Sequence, residues 1–153
     1  MLRNGLKNVF RHFKTVGGQG ITVANLFAVK HTYLPQYSNE EIVNEINNME
    51  MEQLLIAKDQ FISLTEKGEN FVYGPFDIET GISEFMQIFR HFHVNANQIL
   101  LISNILAVKD KYLSPQSIKH FEDIVNELQN RNFISADGNN SIILTNIGFE
   151  YLY

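Results

Sequence analysis

Within its 153 residues the chain writes one pattern twice, and this limits the fold more than any other feature of the sequence. Residues 8–34 align with 87–113 at an offset of 79. Phe10-Arg11-His12-Phe13 matches Phe89-Arg90-His91-Phe92, and Asn25, Ala28-Val29-Lys30 and Tyr33-Leu34 match Asn104, Ala107-Val108-Lys109 and Tyr112-Leu113. The offset becomes 82 where Ile42-Val43-Asn44-Glu45 meets Ile124-Val125-Asn126-Glu127. It becomes 80 where Leu64-Thr65-x-x-Gly68 meets Leu144-Thr145-x-x-Gly148. Of 48 aligned positions 22 are identical, against about 3 expected from ordinary residue usage. The chain is therefore read as two copies of a unit of about 70 residues, each with its own buried face. The first copy spans 1–73 and the second 82–153. The stretch 74–81 is a linker marked by Gly74-Pro75.

Each copy is expected to begin with an amphipathic helix, over about 4–15 and 82–93, with Leu6, Val9, Phe10 and Phe13 on one face. A second helix, over about 20–33 and 97–112, is apolar nearly all round and is expected to be the buried centre of its unit. A third follows over about 38–53 and 115–131. Ser38 and Glu41 make a capping-box pattern at its start in the first copy. Two short strands then form a hairpin: 54–57 with 61–64, and 133–135 with 142–144. The turn at Asp137-Gly138-Asn139-Asn140 is a strong signal and that at Lys58-Asp59-Gln60 a weaker one. A last helix begins at Thr65 and at Thr145. The fold class is mostly α with small β-hairpins. Ile82, Phe85, Met86 and Phe89 are too apolar to leave in water, so the two first helices are expected to pack on each other.

The order helix, helix, helix, hairpin, helix resembles a winged helix-turn-helix unit, present in tandem. Leu64-Thr65-Glu66-Lys67-Gly68-Glu69-Asn70-Phe71 and Leu144-Thr145-Asn146-Ile147-Gly148-Phe149-Glu150-Tyr151 are similar to the second wing strand and following helix of MarR- or PadR-like bacterial regulators. That resemblance implies a DNA-binding transcriptional regulator whose third helix enters the major groove. The runs 34–54 and 113–133 are short for two helices and a turn, so the helix-turn-helix is compressed or one helix is a single turn. Two units in one chain would act as a covalent pseudo-dimer, and association of two chains stays open.

Composition removes several classes of function. The chain has no Cys, which excludes disulfides, thiolate zinc sites and a cysteine nucleophile. Its five His show no HExxH-type spacing, so no metal or cofactor is expected, and no catalytic signature is present. Gly17-Gly18-Gln19-Gly20 lacks the Lys-Ser/Thr of a phosphate-binding loop and reads as a turn between helices. No signal-peptide run or apolar stretch of about 20 residues appears, so the chain is read as cytoplasmic and without a membrane partner.

Charge is segregated. Residues 1–39 carry five bases and no acid, whereas 40–69 carry eight acids and two lysines; the whole chain is −5. Arg3, Lys7, Arg11 and Lys14 are spaced 4, 4 and 3, a stripe able to follow a phosphate backbone. In the second copy Gln116, Ser117, Lys119 and His120 open the third helix with groups able to bond phosphates or base edges. These eight are the candidate DNA contacts. The third helix of the first copy, with Glu40, Glu41 and Glu45 and no base, is a poor DNA reader because carboxylates repel phosphates. Two readings therefore stand: a DNA-binding regulator, or an adaptor that binds proteins through acidic winged-helix units. The adaptor reading rests on that acidic third helix and the overall −5; with no functional role, the polar helix faces read as solvated and the basic stripe as balancing the acidic segment within the chain.

Overall fold

Leu6, Val9 and Phe10 recur at helical spacing, and they are the buried face of the first helix, α1 (Leu2–His12). A computed structural model of the protein describes residues 1–138 and 140–153. After α1 come β1 (Gly20–Thr22), α2 (Val23–Ala28), the single turn α3 (Lys30–Tyr33), α4 (Asn39–Met51), β2 (Leu55–Lys58), β3 (Phe61–Leu64) and α5 (Glu66–Tyr73). The second half runs α6 (Ile78–His91), β4 (Ile99–Leu101), α7 (Ile102–Tyr112), α8 (Pro115–Lys119), α9 (Phe121–Asn130), β5 (Ile134–Ala136), β6 (Ser141–Leu144) and α10 (Asn146–Leu152). The chain divides into two compact units, Met1–Phe76 and Asp77–Tyr153. Each holds one three-stranded antiparallel sheet, ordered β1-β3-β2 and β4-β6-β5. The class is α+β. Helix α6 begins inside the 74–81 stretch expected as a linker, because the Asp77 carboxylate accepts the Thr80 N–H at 3.2 Å and caps it.

The main departure from the sequence reading is the second helix. Its first residues are strand in both units: Ile21 pairs with Ile62 and Leu100 with Ile142. Extended backbone wins there because Leu64 N–H reaches the Gln19 carbonyl at 2.8 Å, and Leu144 N–H reaches that of Gln98 at 3.1 Å. These ladders outweigh a weak local helix preference. Nor is the helix the buried centre of its unit. Leu26 is the buried residue of α2 and Ile105 that of α7, while Leu106 is 48% exposed. The core centre is instead shared with the first helix, where Phe85 and Phe89 are wholly buried and the Phe85 ring packs at a tilt against Phe121 of α9, centroids 5.6 Å apart.

The repeated Leu-Thr-x-x-Gly run has a structural cause. The Thr65 hydroxyl accepts the Gly68 N–H at 2.9 Å and donates back toward the Gln53 carbonyl at 2.6 Å, tying the start of α5 to the end of α4. Thr145 does the same with Gly148 at 3.0 Å and the Asn132 carbonyl at 2.5 Å. The first hairpin turns through Asp59 and Gln60, both with positive φ, the conformation that two-residue hairpin turns require. In the second hairpin Asn139 lies outside the described residues.

Candidate functional site

Helix α4 is set by its capping box. The Ser38 hydroxyl accepts the Glu41 N–H at 3.1 Å, and the Glu41 carboxylate accepts the Ser38 N–H at 2.7 Å. Started there, the helix buries Ile42, Ile46 and Met49. Its other side therefore presents Glu40, Val43, Asn44, Asn47 and Glu50 to solvent.

The basic stripe on α1 is largely engaged within its own unit. The Arg3 guanidinium bonds the Glu45 carboxylate and forms two bonds to that of Glu52, at 2.7 and 2.6 Å. The two carboxylates raise the guanidinium above even its usual high pKa, and the Arg3 bond holds Glu52 below its ordinary 4.5. Lys7 lies 4.2 Å over the Phe71 ring. Arg11 donates to the Val72 carbonyl near the end of α5 at 3.1 and 2.6 Å, where a cation complements the helix dipole. Arg90 repeats that contact on the Leu152 carbonyl. Lys14 is exposed just beyond α1, with positive φ.

The second unit clamps its first and third helices with the charges exchanged. Its cation is Arg131, at the end of α9, which bonds Glu127 at 2.9 Å and Glu79 of α6 at 3.0 Å. Glu79 is thereby held below its ordinary 4.5. A depressed carboxylate contributes stability above its unfolded pKa and loses it as pH falls through the folded one. The unfolding temperature should thus be level from pH 7 to 5 and drop below about 4.5. Arg3→Met should make the drop shallower, as thermal melts across pH 3–7 would show; an unchanged slope would mean that Arg3 does not set it.

The four candidates of the second unit do not share one helix face. The expected helix 115–131 breaks at His120 into α8 and α9. Gln116 and Ser117 belong to the short α8 and are buried, at 8% and 1% exposure, with the Ser117 hydroxyl bonded to Ser114 at 3.1 Å. Buried groups present nothing to a base edge. Lys119 and His120, joined by Lys109, instead edge a recess of about 390 Å³ that also holds Glu122 and Asp123; His120 contacts Asp123 at 3.1 Å.

Both hairpins are short and tied down. The Gln60 carbonyl accepts the Val23 N–H at 3.0 Å, and the Asn140 carbonyl accepts that of Ile102 at 2.9 Å. The matched His–Tyr pairs are also contacts between helices: His12 Nδ1 lies 3.0 Å from the Tyr33 hydroxyl and His91 Nδ1 lies 2.6 Å from that of Tyr112.

One feature was not marked in the sequence. A groove of about 320 Å³ opens between α2, α4 and the first hairpin, lined by Phe27, Val43, Asn47, Lys58 and Phe61 among others. Val43 and Phe61 are 46% and 43% exposed within it. The available signal was Val43 itself, an apolar residue beside Ile42 that the Ile42-Ile46-Met49 stripe leaves on the outside.

Among the described residues no three His, Cys, Asp or Glu side chains converge as a metal site, and no helix is long and apolar enough to cross a membrane. No protein-family model matches the chain, and no curated protein or solved structure is significantly similar to it.

Proposed function

We propose that each unit is a winged helix and that the chain is a non-enzymatic adaptor that binds a protein partner. The observation that carries this reading is that Arg3 is bonded to Glu45 and Glu52 and Arg11 to the Val72 carbonyl within the first unit, while the outward α4 face carries carboxylates and no base. DNA affinity rests chiefly on Lys and Arg contacts to phosphates, and these two arginines already serve carboxylates and a helix end. The tied hairpins and the exposed Val43 and Phe61 point the same way.

The second reading, a DNA-binding transcriptional regulator, is favoured by Lys109, Lys119 and His120 at one recess of the second unit. Fluorescence anisotropy with mixed duplex DNA separates the two. The adaptor reading expects no binding at about 50 mM salt up to about 100 µM protein, the weak end of non-specific binding. Micromolar binding that falls steeply with salt and is lost in Lys119→Glu would establish the regulator instead.

A further inference from the structure

We propose that the groove between α2, α4 and the first hairpin receives a basic segment of a partner protein, anchored by one bulky apolar side chain between Lys or Arg residues. The inference rests on the adaptor reading and adds the place and the chemistry of the partner. Three observations carry it.

The first is shape. At about 320 Å³ the groove is at the small end for ligand sites, a size suited to one anchoring side chain. Phe27, Val43 and Phe61 supply apolar walls from three different elements.

The second is charge. Residues 39–64, which form α4 and the hairpin, carry six acids, Glu40, Glu41, Glu45, Glu50, Glu52 and Asp59, against Lys58. Arg3 offsets part of this through Glu45 and Glu52, on the α1 side of α4. Glu40 and Glu50 flank Val43 and Asn47 at helical spacing, and Asp59 sits on the hairpin wall. The nearby bases are Lys58 and Lys30, the latter bonded to Asn39 at 2.8 Å. The excess is negative, so a cationic segment is drawn in and an anionic one is turned away.

The third is the neighbouring strand edge. The outward Ala57 N–H of β2 is taken by the Glu50 carboxylate. A partner strand added along β2 would compete with that bond, so recognition falls to side chains entering the groove.

The test is a titration of the full isotope-labelled chain, followed by amide NMR, with an amphipathic peptide of Leu and Lys about 12 residues long. The controls are a Leu/Glu peptide and an Ala/Lys peptide. The expected result is saturable shifts centred on Val43, Asn47 and Phe61, with affinity at least ~10-fold above either control. Phe61→Ser with Val43→Asn should weaken binding by ~10-fold or more. Melts would check that the double variant stays folded. Glu40→Gln with Glu50→Gln, both on the surface, should weaken binding about 3-fold at low salt and little at high salt. No binding, equal binding of the Leu/Glu or Ala/Lys peptide, or shifts spread over the acidic surface without the groove would each overturn the proposal. DNA binding in the anisotropy assay would overturn the adaptor reading itself, so the two failures are distinct.

Discussion

Gly68→Ala and Gly148→Ala should each destabilise their unit by about 3 kcal/mol or more. An added Cβ at Gly68 would sit 1.8 Å from the Leu54 carbonyl oxygen, and one at Gly148 would sit 2.1 Å from that of Phe133. The obstacle in each case is backbone. Those same carbonyls accept the Thr65 and Thr145 N–H groups at 3.1 Å, so they cannot swing away without breaking the junction of strand and helix. The usual gain from Ala over Gly within a helix, about 1 kcal/mol, is of the opposite sign and smaller. Urea unfolding of the two single variants checks this. A loss below about 1 kcal/mol would mean that α5 and α10 lift off the carbonyl without cost. The Leu-Thr-x-x-Gly run is then a packing device: Thr starts the helix and Gly lets it lie on the preceding chain.

Phe89→Ala should cost about 3–5 kcal/mol, whereas Phe61→Ala should cost under about 1 kcal/mol. Phe89 is wholly buried on α6 beside Phe85, their ring centroids 6.1 Å apart. Removing it leaves a cavity among residues held by two packed helices. Phe61 is 43% exposed at the groove, and its deletion mainly uncovers surface. For a unit of this size each kcal/mol moves the melting temperature by about 4–8 °C, so thermal melts separate the two outcomes clearly. A large loss from Phe61→Ala would make that ring part of the core and remove the apolar anchor point from the groove.

Much of the fold was legible because its causes are local. Ser38 with Glu41, and Thr65 and Thr145 with their glycines, satisfy helix ends within four residues of themselves. The hairpins are likewise legible from turn residues between short apolar runs. Strands β1 and β4 were hidden because Ile21-Thr22-Val23 and Ile99 to Ile102 fit either a helix face or an alternating strand. Three residues are too few to show a period. The break at His120 was hidden too, since Pro115 suits the first turn of a helix of any length.

The sequence by itself determined that the chain holds two copies of one unit, where α4, α5 and α10 start, and that α4 carries acids without a base. Tertiary structure decided which charges are engaged. Arg3 meets Glu45 and Glu52, and Arg11 meets the Val72 carbonyl, so two arginines of a stripe that reads as available to phosphate are bonded within their own unit. It also buried Gln116 and Ser117 and opened the groove beside Val43. The physical reason is separation along the chain. Partners 42 to 61 residues apart leave no periodic mark on either segment, and only the folded core brings them within hydrogen-bond reach.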